Sequence, residues 1–199
     1  MPKPFELRWP NVREYLTDTL KLPKDLIDKL HNDGLIYSDR RSNCVFVRDQ
    51  DSGVFKVGTG STPFIQTLGK DGGPLVIPGT DNKAFITDSP LEALALKAMH
   101  PDSTIMATGE FIPTDKLNPY LGGHEITVAM KKTSNANIMA RYILDAIPKA
   151  EYAPPKDGRD WNEAWVAHLN KTSQKASDKP HQRNNQTTTT QTRTTGLSR

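Results

Sequence analysis

Apolar positions along the first part of the chain recur at helical spacing and then give way to short strand-like runs. Residues 12–20 and 23–33 read as two short helices, with Leu22, Leu26, Ile27 and Leu30 at helical spacing and Gly34 placed to end the second. Leu35-Ile-Tyr and Cys44-Val-Phe-Val then read as strands joined through the polar stretch 38–43. Residues 54–57 and 75–77 add further strands, with Gly-rich turns between them. This first piece, residues 1–80, is expected to be a small α+β module.

From residue 81 the pattern alternates as in a parallel sheet with helices on its faces. Strands are predicted at 85–87, 104–108, 126–130 and 151–153; helices at 90–99, 114–121 and 136–146. A last helix, 161–169, closes this second piece at residue 169. Right-handed crossovers put the C-terminal ends of such strands on one edge, where open α/β sheets bind ligands. Asp88, Gly109 and Lys131 all fall at those ends.

Ala84-Phe-Ile-Thr-Asp-Ser-Pro-Leu-Glu-Ala-Leu94 carries the strongest local signal. A carboxylate leaving a buried strand can hold a hard cation such as Mg²⁺ near a phosphate, and Glu92 lies four residues beyond Asp88. Pro90 suits a first helical turn, where a missing N–H costs nothing. The same residues also make an ordinary helix start, with Thr87, Asp88 or Ser89 as N-cap and Glu92 favoured by the helix dipole. Asp160 divides likewise, as a further site carboxylate or as the N-cap of a box-like pattern with Glu163. Gly58-Thr-Gly-Ser-Thr-Pro can cradle a phosphate through its N–H groups, yet it lacks the helix and lysine of a P-loop and reads equally as a turn.

Composition narrows the class. There is no apolar run long enough to span a membrane and no signal-peptide core at the Met-Pro-Lys-Pro start, so a cytoplasmic protein with no membrane partner is expected. Cys44 is the single cysteine of the 199 residues, which excludes an intramolecular disulfide framework and a thiolate zinc site. The five histidines show no ligand spacing. From Asn170 onward six cations stand against the single acid Asp178, a net +5; with +3 for the whole chain, residues 1–169 carry −2. The basic balance therefore belongs to the end of the chain, where the Thr-rich run 187–195 lacks apolar side chains to offset the entropy of ordering. Residues 170–199 are expected to be a disordered basic tail.

Five segments together resemble the Toprim domain of plasmid mobilisation and replication proteins and the small module that precedes it. Thr87-Asp-Ser-Pro-Leu-Glu-Ala-Leu94 is similar to its strand-to-helix motif, read there as Thr-Glu-Ser-Pro-hydrophobic-Asp-Ala-Leu. Tyr15-Leu-Thr-Asp-Thr-Leu-Lys-Leu-Pro, Leu30-His-Asn-Asp-Gly-Leu-Ile-Tyr-Ser-Asp and Asn43-Cys-Val-Phe-Val resemble the small module that precedes it. Lys156-Asp-Gly-Arg-Asp-Trp-Asn-Glu resembles its closing element. The resemblance spans residues 9–169 in the family's order. It implies an α/β fold with a mostly parallel Toprim-like sheet and flanking helices, and metal-dependent phosphoryl chemistry where the site is intact.

The chain departs from that family at the site. Asp88 stands in place of the usual glutamate, and Lys131 and Thr133 occupy the expected positions of an Asp-x-Asp pair; no Asp or Glu occurs from Ile126 to Leu144. An ammonium cannot ligate a divalent cation, whereas it attracts phosphate. The expectation is thus a protein with a degenerate site and no cofactor. It would bind DNA or RNA, or a replication or mobilisation protein, through Lys131 and Lys132, with Arg40 and Arg41 adding to a nucleic-acid surface. The alternative is an active Mg²⁺-dependent nucleotidyltransferase or nuclease, in which Asp88 is catalytic and Asp88, Glu92 and Asp160 hold the metal. A structural adaptor is a further alternative.

Overall fold

The computed structural model describes residues 1–49, 53–70, 72–109 and 113–177. Helix α1 (Trp9–Glu14) runs on without a break into a π-helical turn, Tyr15–Thr19. Val12 and Leu16 lie on its buried face, and the polar segment beyond bends through Lys21 at φ 59°. Helix α2 (Lys24–Asn32) buries Ile27 and Leu30. Gly34 at φ 76° ends it, donating to the His31 carbonyl while Leu35 N–H reaches Leu30 O.

Two sheets follow. The first is a four-stranded antiparallel meander of β1 (Ile36–Ser38), β2 (Cys44–Val47), β3 (Gly53–Val57) and β4 (Ile65–Gly69), in that order. Its first turn is held by Asp39, whose Oδ1 accepts from the N–H groups of Arg41 and Asn43. The second sheet has the order β5-β7-β6-β8-β9. It is built from β5 (Leu75–Ile77), β6 (Lys83–Thr87), β7 (Thr104–Ala107), β8 (Glu125–Val128) and β9 (Glu151–Tyr152). Only β5 is antiparallel to its neighbour. Helices α3 (Pro90–Met99), α4 (Ser134–Ala146) and α5 (Trp161–Ser177) complete the chain.

Alternation along the central strands sends side chains to two cores. Ala84, Ile86, Met106 and Val128 pack with Ala136, Met139, Ala140 and Ile143 of α4. Ile105 and Ala107 face the other way, into a core shared by α1, α2, β2, β3, α3 and α5. Burial on both faces accounts for the apolar run Ile105–Ala107 of β7, a strand covered on both sides of the sheet. Helix α5 bridges the parts: Trp165 Nε1 donates to Lys21 O (2.9 Å) and Trp161 Nε1 to Ala129 O (2.7 Å).

Several elements differ from the sequence reading. The single helix expected over 114–121 is instead two 3₁₀ turns, Thr114–Lys116 and Asn118–Tyr120, because Pro119 supplies no N–H to a continuous ladder. Residues 75–77, read with the first piece, pair with β7 of the second sheet. Strand β4 has no counterpart in that reading, since its residues are almost all exposed and carry no alternation. Helix α5 continues to Ser177, eight residues past its expected end at Leu169 and into the stretch expected to be disordered. The remainder of that expected tail lies outside the described residues. No described helix is long and apolar enough to cross a membrane.

Candidate functional site: the C-terminal edge of the second sheet

Strand β6 leads directly into the site. Its neighbours stay in register past the strand ends, with Ala129 N–H on Ile86 O (2.7 Å) and Thr108 N–H on Thr87 O (2.9 Å). The next residues, Asp88, Gly109 and Lys131, line one cleft along this edge. Lys131 Nζ lies 3.3 Å from Asp88 Oδ2, with the two side chains 31% and 18% exposed. Asp88 Oδ1 and Thr87 Oγ1 are buried without a hydrogen-bond partner among the described residues. Gly109, at φ 76°, packs against the Phe55 ring so closely that a Cβ would come within 2.8 Å of it. That contact brings the first sheet up to the edge of the second.

Asp88 and Glu92 are separated by the helix start. Ser89 is the extended N-cap of α3, Pro90 opens the helix and Glu92 falls in its first turn, 3% exposed. Glu92 Oε2 accepts from Trp161 N–H (2.9 Å), and Asn162 Nδ2 approaches Oε1 at 3.4 Å. Burial pushes this carboxyl up to about 7 against the pull of the Trp161 N–H, with Asp160 and Asp88 adding repulsion and Lys131 opposing it. Asp160 caps α5 through Glu163 N–H (2.8 Å). Glu163 reaches back one residue beyond the usual box, accepting from Arg159 N–H (2.7 Å) and from the Arg159 guanidinium. Gly158, at φ 83°, makes room for that contact.

The cleft in front of Asp88 and Lys131 has a volume of about 890 Å³. Ile65, Gln66 and Thr67 of β4 form one side; Thr133, Asn135, Ile138, Met139 and Tyr142 of the α4 region form the other. The β4 wall is not legible in sequence, because β4 has no periodic signal; of the other wall the helix and Thr133 are legible, but not the part of the exposed apolar Ile138, whose helix has its other face in the core. Trp161 was beyond sequence reasoning as a site residue, since its part depends on Glu92, about seventy positions away.

The other sequence candidates fall elsewhere. Lys132 is exposed beside Lys131. Arg40 and Arg41 are exposed in the β1–β2 turn, with Arg40 over the Phe5 ring, and neither lines the cleft. Trp9 stacks on His31 and Arg13 makes a bidentate pair with Asp28, so these residues serve the packing of α1 and α2. The Gly58–Pro63 stretch is the β3–β4 connection, tied down by Thr59 Oγ1 on Ser42 O and by Gly58 N–H on Phe64 O. Cys44 is fully buried, which pushes its thiol up and makes it a core residue.

The fold is similar to that of solved primase catalytic cores. The catalytic core of DnaG aligns with 80% of the chain and 72% of its own length at 13% identity, with a TM-score of 0.54. The DnaG primase catalytic domain bound to ssDNA aligns with 81% of the chain and 70% of its own, at 15% identity and a TM-score of 0.53. The fold is therefore Toprim-like, and at these identities the likeness concerns the fold. A family model described as a protein of unknown function (DUF3991) matches residues 14–59, from the end of α1 to just beyond β3. No curated protein matches the sequence.

Proposed function

We propose that this chain binds nucleic acid at the C-terminal edge of its Toprim-like sheet, in replication or transfer of a plasmid or other mobile element, without catalysing phosphoryl transfer. The observation that carries the reading is the ammonium of Lys131 standing 3.3 Å from the Asp88 carboxylate, where the fold would have a cation. The residues present do not suit a divalent ion. Asp88 faces Lys131, Glu92 is taken up by Trp161 N–H and Asp160 by Glu163 N–H. Among the described residues no three His, Cys, Asp or Glu side chains are grouped to hold a metal ion. Hard cations demand several oxygen ligands at about 2.0–2.6 Å, and a neighbouring positive charge opposes them. The same lysine, with Lys132 beside it, attracts a phosphate backbone. The fold itself, shared with primase cores, supports a place in nucleic-acid metabolism.

Calorimetric titration of Mg²⁺ and Mn²⁺ into the protein and into Asp88→Ala tests this directly. Neither protein is expected to give saturable heats at millimolar metal, and oligonucleotide binding is expected to survive EDTA and weaken steeply with salt. Saturable binding lost in Asp88→Ala, together with EDTA-sensitive cleavage or primer synthesis, would overturn the reading in favour of an active enzyme.

A further inference from the structure

The edge strands of the two sheets are β1, β4, β5 and β9, and they are not treated alike. An edge strand carries a row of N–H and C=O groups without a neighbour, which proteins blunt by shortness, burial, charge or a covering segment. Strand β1 has three residues and is met by the chain before α1, with Phe5 N–H on Ser38 O at 2.8 Å. Strand β5 also has three, of which Leu75 and Ile77 are buried. Strand β9 has two, and one is Glu151. Strand β4 has none of these defences. Among the described residues its five positions pair only with β3, and four of the five are exposed. No charged residue occurs from Ser61 to Gly69.

That undefended edge faces the cleft. Successive side chains of a strand point to opposite faces, so a cleft lined by one face of a strand meets every second residue. Here the consecutive residues Ile65, Gln66 and Thr67 all line it, which sets the open hydrogen-bonding side of β4 along the cleft. On the far side α4 presents Ile138, 69% exposed, and Tyr142 one turn on, 40% exposed. Among the described lining residues the charged ones are Asp88 and Lys131, which pair with each other. The cleft thus combines a row of backbone donors and acceptors, an apolar wall and walls without net charge.

Those features select the occupant. Alternating N–H and C=O groups at strand spacing are matched by another extended polypeptide, whereas a sugar–phosphate backbone has no matching row of donors. A second copy of this chain would bring its own β3 behind its β4, into space that α4 fills. A single extended segment has no such neighbour. We propose that β4 is a docking edge for one extended segment of a partner protein, uncharged and with an apolar side chain at every second position. The segment adds beside β4 as a fifth strand of the first sheet and lays those side chains into the cleft toward Ile138 and Tyr142. This proposal goes beyond the nucleic-acid reading and does not rest on it.

The test pans a display library of random peptides of about ten residues against the immobilised whole chain and measures the selected peptides by fluorescence anisotropy. Selected sequences are expected to alternate apolar residues and to lose about tenfold in affinity for Ile65→Lys and Ile65→Glu alike, since a charge of either sign spoils the edge. Ile138→Lys, on an exposed helix position outside the sheet, is expected to weaken them about threefold. N-methylation of every second peptide residue should abolish binding in one phase and spare it in the other, because only one phase aims its N–H groups at β4. Alternate amides of residues 65–69 should exchange hydrogen rapidly in the free chain and slowly once a peptide is bound. Selection of no peptide that the Ile65 variants weaken would overturn the proposal; oligo-dT binding that rises in Ile65→Lys and falls in Ile65→Glu would then give the cleft to nucleic acid. Slow exchange at β4 without peptide would also overturn it, in favour of a second copy if it grows with protein concentration and of the chain's own end if it does not.

Discussion

The two flanks of the sheet edge use the same parts to opposite ends. On the α5 flank, a carboxylate, a helix N-terminus and an indole close on one another: Glu92 takes Trp161 N–H while the Trp161 ring donates to Ala129 O. On the α4 flank, a helix N-terminus without an acid and an ammonium border an open cleft. The difference lies in which polar groups already have partners. Satisfied groups build the fold, and on the other flank they leave an open cleft.

That contrast can be broken from its closed side first. Trp161→Ala removes a ring buried to 8% exposure and the indole's hydrogen bond to Ala129 O, while the backbone N–H on Glu92 stays, so a loss of about 3–5 kcal/mol is expected in urea unfolding. Glu92 offers a subtler probe. Its carboxyl titrates at about 7 in the folded protein against 4.5 ordinarily, so the folded state binds a proton that the unfolded state has released between those values. Stability from this group is therefore fullest below about pH 4.5 and falls as pH rises to about 7, by on the order of 2–3 kcal/mol. Glu92→Gln should flatten that slope, a change visible in unfolding midpoints measured at pH 5 and pH 8. Thr133→Ala, on the open side, should cost under about 1 kcal/mol because the cap it removes is long.

Much of the architecture was legible because its signals are local. The run from Ala84 to Leu94 announces a strand, a turn and a helix through its apolar residues and Pro90, and the structure has β6 and α3 there. The alternation of the second piece likewise follows from buried runs such as Thr104–Ala107. Elements defined by what they touch were not legible. Exposed β4 forms by pairing with β3, and β5 joins the second sheet only because β7 offers it an antiparallel edge. At the site, Asp88 and Lys131 could be named from motif positions, and the structure puts them in one ion pair. The engagement of Glu92 by Trp161 depends on helix ends that converge from distant parts of the chain.

The indole of Trp165 meets the Lys21 carbonyl across 144 positions of sequence. A chain emerging from the ribosome must therefore be synthesised as far as α5 before Val12, Leu16 and Leu22 can meet the α5 residues that share their core. Until then the first helices hold their apolar faces without their final cover, and the entropy of closing so long a loop is met only at the end. The order of synthesis thus makes α5 the closing event of folding, and a nascent chain halted before residue 161 an aggregation-prone species.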